Sequence, residues 1–158
     1  MKTLLVAEYR DGTLLNSSYE LVAFAEQLGA ESAMFLVGSD SVLPQYDGTL
    51  YLADAGKHSE YNPAVHKQLL LDAIAKEQPD MVVFAHSSYG WDLAPRISLA
   101  MNAAHVSEVV DIVDGVPVAP VCNSKLRRDV KAKTGKMVLT LQGGAFGLEN
   151  EPSGTPSV

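Results

Sequence analysis

Cysteine, positive charge and long apolar runs are all scarce in this chain of 158 residues. The single cysteine, Cys122, excludes an internal disulfide and a zinc site built from thiolates, and we expect it to be buried as a small apolar residue. Twelve basic residues against nineteen acidic ones give a net charge of −7, which argues against general nucleic-acid binding.

Membrane segments and targeting segments are missing as well. No stretch reaches the roughly 20 apolar residues that a membrane-spanning helix needs, so we expect no membrane insertion. The first apolar run, residues 4–7, is too short for a signal peptide because Glu8 and Arg10 interrupt it. We therefore predict a cytoplasmic protein, or a mitochondrial matrix protein after processing if the source is eukaryotic.

Motifs of catalytic and metal-binding sites are equally scarce. The four histidines show neither HxxxH nor HxH spacing, and no carboxylate completes a metal set. The chain has no nucleophile elbow, no Walker A loop and no GxGxxG fingerprint. We predict no metal and no catalytic residue, and hence no enzyme activity of the chain by itself.

What is present is an alternation of apolar and amphipathic segments. Four apolar runs, residues 4–7, 33–37, 49–53 and 81–85, predict buried strands. Helices are predicted from Ser17, which forms a capping box with Glu20, from Asn62-Pro63, and along the apolar stripe of residues 93–104. This order favours an α/β fold, a mostly parallel open sheet with helices on both faces.

The pattern changes after residue 104. Residues 109–113 and 116–121, around a turn at Asp114-Gly115, predict one β-hairpin, and residues 126–132 and 137–141 predict a second. Six of the twelve basic residues lie between 125 and 136, on a solvated hairpin face or on a surface for an acidic partner. Residues 149–158 contain two prolines and no apolar periodicity, so we predict one domain over 1–148 followed by a linker or flexible tail.

Two segments could form a binding site, because ligands of an open parallel sheet lie beyond the carboxyl ends of its strands. Ala7 and Glu8 follow the first strand, whereas Ser87, Ser88 and Gly90 follow the fourth and lead into a helix whose free N–H groups could hold a phosphate. Ser87 or Ser88 could instead simply be the helix cap, which is the interpretation we favour. Since the carboxylate of Glu8 repels phosphates unless it turns to a ribose hydroxyl, we expect AMP or ATP to bind weakly or not at all.

Asp92 and Arg96 stand four residues apart and can pair on one helix face. Pro95 lies between them, and it would bend the helix or delay its start.

Residues 89–97, YGWDLAPRI, resemble a signature of electron-transfer flavoprotein α-subunits, commonly G-[RK]-D-L-A-P-R-V. The opening LLVAEYRDGTLLNSS, the step VSEV at 106–109 and the stretch LTLQGGAF at 139–146 resemble further segments of that family, in the same order. Trp91, Gln142 and Gly143 replace the usual basic residue, arginine and proline.

The resemblance implies a Rossmann-like fold of the adenine-nucleotide-hydrolase type, shared with a β-subunit whose equivalent domain holds AMP. It implies that Asp92, Pro95 and Arg96 form a structural signature. It also implies a scaffold domain that contacts the β-subunit, within a complex carrying electrons from dehydrogenases to a quinone-linked acceptor.

The resemblance places FAD in that assembled complex, mainly on a second domain that is expected to begin where this sequence ends. We expect no cofactor on this chain alone. The alternative is a stand-alone adenine-nucleotide-binding module of the universal-stress type.

Overall fold

Eleven strands and four helices follow one another along residues 1–148 and 151–158, which the computed structural model describes. The helices are α1 (Ser17–Gln27), α2 (Ala55–His58), α3 (Pro63–Glu77) and α4 (Ser88–Met101). The strands are β1 (Lys2–Val6), β2 (Tyr9–Arg10), β3 (Thr13–Leu14), β4 (Glu31–Gly38), β5 (Thr49–Asp54), β6 (Met81–Ala85), β7 (Ala104–Val109), β8 (Asp111–Val113), β9 (Val116–Val121), β10 (Leu126–Asp129) and β11 (Met137–Leu141).

The main sheet has six strands in the order β5-β4-β1-β6-β11-β7, and every neighbouring pair is parallel. In β1 and β6, for example, Leu5 is the partner of Val83. Strands covered on both faces need apolar residues at consecutive positions, and all five residues of β6 are buried. The predicted mostly parallel open sheet is confirmed.

Helices cover both faces of the sheet, as predicted, but unequally. The side chains between the sheet and α3 and α4 include Leu4, Val6, Leu70, Val82, Leu93 and Ile97. On the opposite face α1 packs beside β9, and the buried set there includes Leu21, Phe24, Val83, Ala119, Leu139 and Phe146. The antiparallel strands thus take the place of a second helix on that face.

The predicted start of α3 is confirmed. Asn62 is the N-cap, its Oδ1 accepts a hydrogen bond from the N–H of Val65 at 3.3 Å, and Pro63 is the first helical residue.

The capping box predicted for α1 is wrong. Asn16 occupies the N-cap without a side-chain hydrogen bond to the helix, and Ser17 lies inside it. Glu20 instead accepts a hydrogen bond from the N–H of Gly144 at 2.7 Å. The carboxylate that the motif assigned to the helix start is therefore bound by a backbone N–H 124 residues away in the sequence.

The single helix predicted to run to Ala104 is wrong at its end, because its last residue belongs to a strand. Helix α4 ends at Met101, because Asn102 takes a left-handed conformation with φ of 50° and its N–H caps the last turn. Ala104 already begins β7.

The antiparallel part confirms one predicted hairpin and corrects the other. Strands β8 and β9 pair antiparallel around Asp114-Gly115, although Val109 belongs to β7. Strand β10 pairs with β9, in the order β10-β9-β8, and not with β11. Strand β11 instead enters the main sheet between β6 and β7, parallel to both, and residues 138–141 are all buried there.

Cys122 is exposed, contrary to expectation. It lies in the turn between β9 and β10, where Cys122, Asn123 and Ser124 all have φ between 53° and 61°. Cys122, Asn123 and Ser124 are all exposed, so an apolar side chain in this turn has nothing among the described residues to bury against.

The predicted boundary after residue 148 stays a prediction, and Glu149 and Asn150 of the predicted tail lie outside the described residues. Near the end of the chain, Ser157 forms a parallel bridge with Thr49. The N–H of Leu50 donates to the carbonyl of Ser157 at 2.8 Å, and the N–H of Ser157 donates to the carbonyl of Gly48 at 2.9 Å.

Candidate functional site

A cavity of about 260 Å³ opens at the carboxyl ends of β1 and β4, beside the start of α4. From β1 the chain first adds β4 and β5 on one side and then crosses to β6 on the other, so the strand order reverses at β1. Open α/β sheets bind ligands at such a switch point. The lining residues are Ala7, Glu8, Tyr9, Arg10, Val37, Glu60, Tyr61, Ser88 and Tyr89.

Glu8 is the buried acid of this cavity, with 5% of its surface exposed. Its backbone N–H donates to Ser18 Oγ at 3.0 Å, and its carboxylate Oε1 accepts a short hydrogen bond from the hydroxyl of Ser87. Burial raises the pKa of Glu8 above its ordinary value, while the bond from Ser87 and the charge of Arg10 oppose that rise.

Ser87 is the N-cap of α4, since its Oγ accepts a hydrogen bond from the N–H of Gly90 at 3.0 Å. The same hydroxyl donates to Glu8, so it joins the end of β1 to the start of α4. With both of its hydrogen-bonding directions used, Ser87 acts as a cap and as a tie between two elements.

Gly90 lies behind the cavity and packs against β6. A Cβ at this position would lie 2.0 Å from the carbonyl oxygen of Ala85, so only glycine allows α4 to approach the strand this closely. Of the residues predicted for a nucleotide site, the structure brings Ala7, Glu8 and Ser88 to the cavity wall and leaves Ser87 and Gly90 outside it.

Two tyrosine rings form a corner of the cavity. The ring centroids of Tyr61 and Tyr89 are 6.0 Å apart, and the ring planes are inclined by 64°. The hydroxyl of Tyr89 is held by His66 Nδ1 at 3.0 Å, while His66 Nε2 donates to the carbonyl of Ser59 at 2.9 Å. Burial lowers the pKa of His66, which favours this neutral ring, and raises the pKa of Tyr89.

Tyr61 connects the cavity to the predicted ion pair. Its hydroxyl donates to Asp92 Oδ2 at 2.6 Å, and Arg96 donates to Asp92 Oδ1 through Nη2 at 2.8 Å and Nε at 3.1 Å. The bonds from Tyr61 and then Arg96 lower the pKa of Asp92. The predicted pairing of Asp92 with Arg96 is formed, and Pro95 lies inside α4.

Several cavity residues were missed by the sequence analysis. Glu60 and Tyr61 come from the loop between α2 and α3, where neither periodicity nor a motif marks them. Glu60 accepts hydrogen bonds from the N–H groups of Asp11 and Gly12, at 3.0 and 3.3 Å, and so holds the β2–β3 turn beside the cavity. Tyr9 and Arg10 were not predicted as site residues, and Arg10 was noted only because it interrupts the first apolar run.

The described residues offer neither a metal-binding cluster nor a membrane-spanning helix. Residues 1–148 and 151–158 contain no group of three or more His, Cys, Asp or Glu side chains placed to hold a metal ion. None of the helices in these ranges has the length and apolar character that crossing a bilayer requires.

The fold and the switch-point cavity define the class as a Rossmann-like α/β domain. Residues 3–158 match the model of the electron transfer flavoprotein domain, and the chain belongs to that family. The resemblance to α-subunits is confirmed by the relatives it matches.

The electron transfer flavoprotein subunit alpha of Bacillus subtilis is 26% identical over 119 residues, which cover 70% of this chain and 37% of the relative. That of Mycobacterium tuberculosis, strain H37Rv, is 25% identical over 162 residues, covering 96% of this chain and 50% of the relative. The acryloyl-CoA reductase electron transfer subunit beta of Anaerotignum propionicum is 23% identical over 105 residues, which cover 60% of this chain and 29% of the relative. The chain thus spans half or less of the length of these relatives.

Proposed function

We propose that this chain is a scaffold and partner-binding domain of an electron-transfer flavoprotein α-subunit, and that its main partner is a β-subunit. It takes part in FAD-dependent electron transfer, from dehydrogenases to a quinone-linked acceptor, only within the assembled complex. It contributes no catalytic residue of its own. The observation that carries the proposal is an apolar stripe on the outer face of α4.

The α4 stripe consists of Trp91, Pro95 and Leu99, which are four residues apart and so lie on one helix face. Trp91 is 68% exposed and Leu99 is 84% exposed. The opposite face of the same helix is fully buried against the sheet, so the stripe adds nothing to the core. Exposed tryptophan and leucine side chains in a row are typical of a surface that a partner protein covers.

The signature residues support a scaffold role. Asp92 and Arg96 lie beside the α4 stripe, where they pair with each other, and Asp92 also accepts a hydrogen bond from Tyr61. Their charges are therefore neutralised locally, which lowers the cost of bringing an apolar partner surface against Trp91 and Leu99.

The site does not fit FAD. A volume of about 260 Å³ lies below the roughly 300 to 1,000 Å³ that drug-sized ligands occupy, and FAD is larger than these. Glu8 presents a carboxylate where a pyrophosphate would need donors, and Gly90 is turned toward Ala85. These residues support the proposal that FAD belongs to the assembled complex and that the isolated chain holds none.

The position of the cavity favours a second candidate, a stand-alone adenine-nucleotide-binding module of the universal-stress type. Its location at the switch point supports this alternative, and the buried carboxylate of Glu8 opposes it. Calorimetric titration with AMP and ATP separates the two, because micromolar binding would favour the module.

The single cysteine of the chain bears on its cellular compartment. A lone exposed cysteine, Cys122, is typical of a protein kept in a reducing compartment, and we propose the cytoplasm.

Co-elution with a candidate β-subunit in size-exclusion chromatography tests the partner surface. We expect a complex with the wild-type chain and its loss with Leu99→Asp, because a carboxylate cannot be buried unpaired in an apolar contact. Leu126→Asp, on the antiparallel sheet and 60% exposed, is the matched control and should still co-elute. Loss of the complex with Leu126→Asp and not with Leu99→Asp would move the interface away from α4.

The cofactor part is tested by the absorption spectrum of the isolated chain. We expect no flavin absorption after gel filtration. Stoichiometric flavin surviving that step without a partner would contradict the proposal.

A further inference from the structure

The cavity at the end of β1 has a composition that its family does not explain. Three tyrosines, Tyr9, Tyr61 and Tyr89, line it together with two carboxylates, Glu8 and Glu60, and the guanidinium of Arg10. Tyrosine rings combined with carboxylates are the groups that proteins use to recognise organic ammonium ions. We propose that this cavity binds a small organic cation of the alkylammonium class.

The buried carboxylate is the first support for this ligand. Glu8 is 5% exposed, and its Oε1 accepts the hydrogen bond from Ser87. No buried side-chain oxygen among the described residues lacks a hydrogen-bond partner, and none of those residues donates to Oε2. Oε2 therefore faces the open space of the cavity, where a cation would offset the cost of burying the negative charge.

The corner of the two rings is the second support. A cation is attracted to an aromatic ring when it lies within about 6 Å of the ring centroid. Since the centroids of Tyr61 and Tyr89 are 6.0 Å apart and their planes are inclined by 64°, one cation in the corner reaches both rings. Both hydroxyls are held by groups behind the wall, Asp92 and His66, so the rings are fixed in place.

The charge and the volume of the cavity narrow the class of ligand further. Two carboxylates against one guanidinium disfavour a phosphate, and Arg10 is exposed while Glu8 is buried, so the inner part of the cavity is acidic. A volume of about 260 Å³ corresponds to roughly nine water molecules at ~30 Å³ each. That space admits a trimethylammonium group with a short tail and excludes a dinucleotide.

Isothermal titration calorimetry of the isolated chain with choline tests the proposal. The control ligand is 3,3-dimethylbutan-1-ol, which has the shape of choline with a neutral carbon in place of nitrogen. We expect choline to bind with a Kd in the millimolar range or below and the neutral alcohol to bind at least about tenfold more weakly. Absence of choline binding up to ~10 mM, equal binding of the alcohol, or tighter binding of AMP would overturn the proposal.

Variants of Tyr61 separate the aromatic contribution from folding, because this side chain is 53% exposed. We expect Tyr61→Phe to keep the affinity within about twofold and Tyr61→Leu to weaken it about fivefold or more. Glu8→Gln, which keeps an acceptor for Ser87, should weaken choline binding about tenfold, and its melting curve shows whether it folds. Equal affinities of the Tyr61→Phe and Tyr61→Leu variants for choline would contradict the proposed contribution of the aromatic ring.

These titrations need no partner protein. Failure of choline to bind would therefore leave the β-subunit experiment untouched, and failure of the complex would leave the cavity experiment untouched.

Discussion

The parallel main sheet and the antiparallel sheet β8–β10 differ in how far their strands are buried. Strand β6 has all five residues buried, whereas all four residues of β10 are exposed. Both sheets satisfy the backbone equally well, through regular ladders. The two sheets differ in the apolar area that they remove from water. The main sheet therefore contributes most of the free energy of folding, and the antiparallel sheet contributes less.

The largest expected contrast concerns two glycines. Gly90→Ala should cost about 3 kcal/mol or more, because the new Cβ would lie 2.0 Å from the carbonyl oxygen of Ala85. Gly135, before β11, has nothing within 4 Å of such a Cβ, so Gly135→Ala should change the free energy of unfolding by less than ~0.5 kcal/mol. Urea unfolding monitored by circular dichroism measures both. Equal effects would mean that α4 can move away from β6 without cost.

Two leucines sharpen the comparison. Leu139 in β11 is fully buried and Leu126 in β10 is 60% exposed. Leu139→Ala should destabilise the chain by about 3 kcal/mol, and Leu126→Ala by less than ~0.5 kcal/mol. Chemical denaturation of both variants gives the two values, and a large effect at Leu126 would show that the antiparallel sheet is covered in solution.

A smaller effect concerns Glu8, the buried acid of the cavity beyond the end of β1. The pKa of Glu8 is raised in the folded chain above its ordinary value of 4.5, so the folded state favours the protonated form. Ionising Glu8 therefore costs stability, and the cost appears as pH rises above 4.5 and is complete above the folded pKa. Glu8→Gln removes it, so over a pH range that starts below 4.5 and extends above the folded pKa, the variant should gain stability relative to wild type as the pH rises. A difference that stays constant across this range would contradict the burial of the charge.

The smallest effects are expected for two ion pairs. Arg96 contacts Asp92 at 2.8 Å one helical turn away, and Arg96→Ala should cost about 0.5 kcal/mol. Arg127 of β10 lies 3.8 Å from Asp111, with both side chains about half exposed or more, and Arg127→Ala should cost still less. Differential scanning calorimetry at low and high salt compares them. An Arg127 effect larger than that of Arg96 would reverse the ranking.

The sequence predicted four of the six strands of the main sheet, β1, β4, β5 and β6, because the signal of a strand buried on both faces is local. Consecutive apolar residues at 4–7, 33–37 and 81–85 leave few alternatives to a strand buried on both faces. Ala7 and Glu8, which were named because they follow the first strand, lie in the cavity wall at the carboxyl end of β1. The pair Asp92–Arg96 needed only the spacing of a helix.

The failures have nonlocal causes. Strand β11 was paired with residues 126–132 because a glycine turn joins them, although Leu126–Asp129 is mostly charged and Met137–Leu141 mostly apolar. That difference in character was a signal for separate sheets. Glu20 matched a capping box, but the N–H of Gly144 competes for its carboxylate, and no local rule includes such a competitor.

The candidate site was predicted as a nucleotide site, which stays a prediction, and of its predicted residues Ala7, Glu8 and Ser88 line the cavity. Its predicted glycine and cap serve the packing of α4, while Glu60 and Tyr61 enter from a loop without a motif. Which loop residues reach a cavity depends on the path of the chain between α2 and α3, and the sequence pattern does not encode that path.

The late position of β11 along the chain has a consequence for folding. The sixth strand of the sheet to appear in sequence lies between β6 and β7, so β7 has no neighbour in the main sheet until residues 137–141 arrive. A fragment that ends before Met137 leaves the edge of β6 open and apolar, which is a template for aggregation. Docking of β11 is then a long-range step that completes the sheet at once, and we expect it to limit the rate of folding.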